Sequence, residues 1–155
     1  MTVAASRWAR VWTLDSRDWR DLAEASVMLA RTHAALRFGS PARVLERAAN
    51  TTAIRPAVFT IARQKRLEWL VGVAGRHVVP VPCLTRAIAL ARILGERGVK
   101  ADVRLGVRRI DGRLDAHAWV ELDGRPVNDD EAHVRRYARL EPSAVKFEDA
   151  SPWIR

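Results

Sequence analysis

A single cysteine, Cys83, stands in the 155 residues. One thiol permits no internal disulfide, which fits a reducing compartment. No apolar run reaches membrane-spanning length. The opening Met1–Trp8 has no long apolar stretch of the signal-peptide kind, so a cytoplasmic protein is expected. Gly-rich phosphate loops are missing, because Gly72, Gly75, Gly95 and Gly98 do not have P-loop spacing. No CxxC or HxxxH spacing is present either. A metal site built from Cys83, His77, His117 and His133 is therefore not expected, and no cofactor is called for. Compact blocks of lysine and arginine are also lacking. The net charge of +9 is mostly arginine spread along the whole chain. That charge could mean nucleic acid, but no nucleic-acid-binding signature accompanies it, and attraction to an acidic peptide or protein is an equally good reading.

What is present is enough for one globular domain. Hydrophobic residues make up 48% of the chain, and its length can bury a real core. There is no internal repeat. The first half reads as helices. From Asp18 to Leu36 the residues Leu22, Ala25, Ser26, Leu29, Ala30 and Ala34 recur on one face, with Ser16 as the expected N-cap. Pro41 to Ala49 forms a short second helix. Ile54-Arg55-Pro56 opens a third, which runs through Trp69 to Gly75. His33 sits among apolar neighbours and is expected to be structural.

Val81-Pro82-Cys83-Leu84-Thr85-Arg86-Ala87 is the organising stretch. Pro82 is pre-set for a helix start, and Leu84, Ala87, Ile88, Ala91 and Leu94 recur at helical spacing. Cys83 then falls in the first turn. Unpaired N–H groups and the positive end of the helix dipole favour a thiolate there.

After this helix the period becomes two. Ala101, Val103, Leu105 and Val107 alternate with polar residues as a half-buried strand. Leu114, Ala116, Ala118, Val120 and Leu122 form the core face of a second strand, whose other face carries Asp115, His117, Trp119 and Glu121. Asp123-Gly124 is a two-residue hairpin signal, and Arg125 to Asn128 should return as a third strand. Glu131 to Leu140 reads as a short polar helix, followed by a tail that Trp153 could pin. Helices followed by antiparallel strands make an α+β architecture.

A thiol at a helix start, a strand histidine and a later carboxylate suit nucleophilic catalysis. The thiolate attacks a carbonyl, the imidazole protonates the leaving group, and a third group orients the ring. His117 is the expected base, with Trp119 as a wall of the site and a substrate contact. A tight hairpin pairs Leu122 with Arg125, which sets Asp130 opposite His117 and points Asp129 the other way. A single bulge reverses that alternation, so spacing leaves both aspartates open.

The stretch Val81-Pro82-Cys83-Leu84-Thr85-Arg86-Ala87-Ile88-Ala89-Leu90, with Leu105-Gly106-Val107-Arg108, Ala116-His117-Ala118-Trp119-Val120-Glu121 and Gly124 to Asn128-Asp129, resembles the transglutaminase-like cysteine proteases of lasso peptide biosynthesis. The resemblance covers roughly Pro80 to Asp130. It implies a papain-like fold, a triad of Cys83, His117 and Asp129, and removal of the leader from a ribosomally made precursor peptide. It also implies a separate leader-binding recognition protein and an asparagine-synthetase-like, ATP-dependent macrocyclase as partners. Arg86, within the cysteine motif, is a further substrate-binding candidate. The expected layout is a helical lobe over 1–78, a catalytic core over 79–132 and a tail over 133–155, all within one domain. A transglutaminase-like acyltransferase or amide ligase with the same triad is the first alternative, and a basic nucleic-acid-binding module the second.

Overall fold

The computed structural model describes residues 14–51 and 60–141. The opening of the third helix at Ile54-Arg55-Pro56, together with Trp8, Trp12 and Trp153, lies outside them. Helix α1 spans Ser16–Phe38 and α2 spans Pro41–Ala49. Helix α3, Ile61–Val73, continues into a π-helical turn, Ala74–Val78. Helix α4 is Cys83–Glu96. Strands β1, Asp102–Ile110, and β2, Arg113–Leu122, are followed by the two-residue β3, Arg125–Pro126. A short helix α5, Glu131–Val134, leads to β4, Ala138–Leu140. The four strands make one antiparallel sheet in the order β3-β2-β1-β4.

Helix α4 is the centre of the molecule. Leu84, Ala87, Ile88, Leu90, Ile93 and Leu94 are all buried, and so are the intervening Ala89 and Ala91. A helix apolar on nearly every side must be enclosed. Helix α1 and the face of β2 carrying Ala118 and Val120 join it in one core.

Helix α1 departs from its expected face. Asp15, one residue before Ser16, is the N-cap, and its Oδ1 accepts the N–H groups of Arg17 and Asp18 at 2.8 and 2.7 Å. The buried stripe is Asp18, Asp21, Ala25, Leu29, Thr32 and Leu36, while Ala30 and Ala34 face solvent. Two carboxylates can lie in this stripe because arginines from other elements reach them. Arg63 bridges Asp18 and Asp21, Arg66 holds Asp18 at 2.8 Å, and Arg97 reaches Asp21 at 3.0 Å. The hydrogen bond from Arg66 dominates over the opposing effect of burial and holds the Asp18 carboxyl below its ordinary range. A buried charge needs such partners, and these pairs clamp α1 to α3 and to the end of α4.

The sheet also departs from simple alternation. Ala118, Trp119, Val120 and Glu121 are all buried, so β2 is covered on both faces there. The second face is covered by α5 and the segment ending in β4, where Trp119, Val134 and Tyr137 form their own apolar cluster. Glu121 is completely enclosed. It accepts from Trp119 Nε1 at 3.0 Å, Arg104 Nε at 3.1 Å and Arg139 Nη2 at 2.6 Å, which ties β2 to both β1 and β4. Residues 131–140 are thus not one polar helix. The helix stops at Val134, and 138–140 pair with β1 across Leu105↔Leu140. Gly106 permits this layering. A Cβ there would lie 2.8 Å from Tyr137 Cβ and 2.9 Å from the Trp119 ring.

Candidate active site

The hairpin behaves as its two-residue turn requires. Asp123 and Gly124 both have positive φ, 49° and 77°, and Leu122 pairs with Arg125. The ladder then ends early. Val127 still donates to Val120 O at 3.0 Å, but the next donor, the Val120 N–H, goes to the side chain of Asn128 at 2.7 Å. A side-chain oxygen has replaced a backbone rung, and the chain leaves the sheet. No bulge is needed to turn Asp129 toward His117. Asp130 instead caps α5, its Oδ1 accepting from Ala132 N at 3.0 Å.

Loss of β3 leaves the edge of β2 open at Ala118, and the first turn of α4 approaches that edge. Along β2 the groups of Val120 face β3, so those of Ala118, two residues earlier, point the same way. The Ala118 N–H at this edge favours the charged form of the Cys83 thiol. Cys83 itself is the first residue of α4, after an extended Pro82. Its surroundings include the unpaired N–H groups of that first turn and the positive helix end.

The structure brings Cys83, His117 and Asp129 together. His117 Nε2 is hydrogen-bonded to Asp129 Oδ2. An ionised carboxylate only accepts, so Nε2 carries the hydrogen, which leaves Nδ1 as the nitrogen to interact with Cys83, and that interaction raises the imidazole. Burial opposes the charged form of all three groups. At Cys83 burial pushes the thiol up, but the His117 hydrogen bond, the Ala118 N–H and the charges of His117 and Arg86 outweigh it and leave the thiol below its ordinary value. At His117 burial pulls downward, and hydrogen bonds with Cys83 and Asp129 prevail to raise the imidazole. At Asp129 burial raises the carboxyl, and bonds from His117, His133 and the Asp130 N–H bring it below its usual range. A lowered thiol beside a raised imidazole is the condition for a thiolate–imidazolium pair.

Two further side chains, His133 and Tyr137, complete the histidine's surroundings. His133, four residues after Asp129, sits in α5 and donates from Nδ1 to Asp129 Oδ1 at 2.9 Å. Tyr137 lies against His117 with ring centroids 5.1 Å apart. Its hydroxyl donates to Asp115 Oδ2 at 2.9 Å; burial and that bond push its pKa up to about 12, so it stays protonated. The i,i+4 spacing of Asp129 and His133 behind a capping aspartate was the sequence signal for the His133 contact.

The cysteine opens into a cleft of about 280 Å³ lined by Lys65, Glu68, Trp69, Arg76, Arg86 and the triad. Arg86 is half-buried, its Nη1 3.5 Å from the Val81 carbonyl. Its stem crosses Gly75, where a Cβ would lie 2.6 Å from Arg86 Cδ. Trp119 has no exposed surface. The expectation that it contacts substrate is corrected: it stacks on His117 with centroids 6.0 Å apart and supports the ring from within the fold. His77 is exposed on the π-helical turn and does not line this cleft.

A cysteine at a helix start, an imidazole on a strand edge and a carboxylate bonded to that imidazole make up the candidate site, and the family model of the transglutaminase-like superfamily matches residues 7–141. The chain belongs to the transglutaminase-like superfamily. No curated protein and no solved structure matched it. The superfamily's enzymes are cysteine proteases and acyltransferases. The transglutaminase-like region takes in α1 to α3 as well as the sheet, a wider span than the motifs from Pro80 to Asp130. No helix among the described residues is long and apolar enough to cross a membrane.

Proposed function

We propose that this chain is a cysteine peptidase that removes the leader from a ribosomally made lasso peptide precursor. Cys83 is the nucleophile, His117 the acid and base, and Asp129 the orienting group. The observation that carries this reading is geometric: Cys83, His117 and Asp129 line one cleft, with His117 Nε2 bonded to Asp129, within the superfamily's fold. The thiolate attacks the scissile carbonyl. Imidazolium gives its Nδ1 proton to the departing amine, and water, deprotonated by the same ring, releases the acyl group. The Cys83 N–H at the helix start is the oxyanion donor in this reading. Arg86 adds positive charge to the cleft wall, which suits a polar or acidic segment of the substrate.

The partners in this reading are the precursor, a leader-binding recognition protein and an asparagine-synthetase-like macrocyclase. A leader held by a separate protein raises the effective concentration of the scissile bond without any new contact there. The decisive experiment incubates full-length precursor with this protein, with and without the recognition protein, at low and high salt. Mass spectrometry then identifies the products. Faster cleavage with the partner, reduced by salt, is expected; equal rates would sink the partner role. The alternative acyltransferase uses the same thioester but resolves it with an amine. Product masses separate the two, because hydrolysis adds water and ligation adds the amine.

A further inference from the structure

We propose that His117, Asp129 and His133 form a binding site for a zinc-class divalent cation, and that an ion bound there silences the cysteine–histidine pair. The silencing rests on the peptidase reading above; the binding does not.

The three side chains each offer one ligand atom, and these atoms all lie within 4.8 Å of one another. They come from three separate places: strand β2, the turn after Asn128 and helix α5. Both imidazoles aim a ring nitrogen at the same carboxylate, His117 Nε2 at Oδ2 and His133 Nδ1 at Oδ1. Two imidazole nitrogens and one carboxylate oxygen suit zinc and its neighbours rather than calcium or magnesium, which take mostly oxygen. The side chains are reachable, with exposures of 14% for His117, 21% for Asp129 and 37% for His133. An ion can therefore enter from solvent and leave again, with water in its fourth position.

Binding replaces hydrogen bonds with coordination. An ion on His117 Nε2 takes the place of the hydrogen that this nitrogen shares with Asp129. His133 turns its Nδ1 from the Asp129 carboxylate to the ion. The ion displaces hydrogen from the ring nitrogens it occupies, no electron is transferred, and affinity rises with pH. His117 then holds a single proton on Nδ1 as a neutral imidazole, a far weaker acid than imidazolium. The departing amine loses its proton source, and acyl-enzyme formation slows.

The test is calorimetric titration of zinc chloride into the full chain carrying Cys83→Ala, and into the same chain with His133→Ala or His133→Gln added. The glutamine keeps an N–H for Asp129 but is a poor zinc ligand. The Cys83→Ala chain should bind one ion, and either change at His133 should weaken binding by roughly tenfold or more. Cobalt(II) in place of zinc should give visible absorption bands that both His133 changes remove. Absence of one-to-one binding to the Cys83→Ala chain, or unchanged affinity in His133→Gln, overturns the site. Zinc should also inhibit precursor cleavage by the unmodified protein, with full recovery in EDTA. Stoichiometric binding with an unaltered cleavage rate overturns the silencing. The titration uses no substrate, so failure of the peptidase reading leaves it interpretable.

Discussion

Replacing Asp129 by alanine tests the geometry of the triad most sharply, because the neighbouring Asp130 provides an internal control. The Asp129 carboxylate accepts from His117 Nε2, from His133 Nδ1 at 2.9 Å and from the Asp130 N–H at 2.7 Å. In the charged pair its bond to His117 is ionic, of a kind worth about 1.5–3 kcal/mol. At about 1.4 kcal/mol per factor of ten, removing it should slow cleavage by roughly 10- to 100-fold. The pH profile should move in a stated direction. The hydrogen bond and charge of Asp129 both raise the His117 pKa. Without them imidazolium persists over a narrower range, and the alkaline limb of the rate profile shifts to lower pH. Asp130→Ala removes only the cap of α5. It should cost about 1 kcal/mol of local helix stability and leave the pH profile where it was. The assay is cleavage of full-length precursor across pH for the two variants side by side. A larger rate loss at Asp130 than at Asp129, or an unmoved alkaline limb in Asp129→Ala, would refute the reasoning.

Other substitutions probe the layers behind the site. Gly106→Ala drives a methyl group against Tyr137 and Trp119; thermal unfolding should show a loss of about 1–3 kcal/mol, and cleavage should fall because both rings pack on His117. Arg63→Met removes the cation shared by Asp18 and Asp21 and should destabilise the fold by about 1.5–3 kcal/mol, read by urea denaturation. Asp18 has a depressed carboxyl in the folded state. Its contribution to stability is therefore present above the ordinary aspartate pKa and is lost as pH falls through the lower folded value. Acid titration of the unmodified protein should show that loss, and the same titration of Arg66→Met, which lacks the leading partner of Asp18, should show less of it.

The parts legible in the sequence are those governed by short-range rules. Pro82 followed by apolar spacing placed Cys83 at a helix start, and Asp123-Gly124 placed the hairpin and its register. The α+β class followed from the change of period. Other features depend on contacts distant in sequence. Asp18 and Asp21 enter the buried stripe of α1 only because Arg63, Arg66 and Arg97 come from elsewhere, so hydrophobic periodicity chose Ala30 and Ala34 instead. Strand β4 is three residues long, too short to show alternation, and it is held by Arg139 on the enclosed Glu121. The choice between Asp129 and Asp130 turned on one amide: the Asn128 side chain ends the ladder, which strand alternation does not encode. Trp119 shared a strand face with His117, as alternation requires, but that face is covered by α5 and Tyr137 rather than open to substrate.

In the proposed mechanism Cys83 is held as a thiolate by His117. The most direct measurement is the rate of Cys83 alkylation by iodoacetamide between about pH 4 and pH 10, in the unmodified protein and in His117→Ala, with the labelled residue identified by mass spectrometry. The reagent needs no substrate or partner. The unmodified protein should react well below the ordinary thiol pKa of about 8.5, and His117→Ala should lose that low-pH reactivity. Alkylation that rises only near the ordinary thiol pKa in both proteins would mean that His117 does not hold Cys83 as a thiolate.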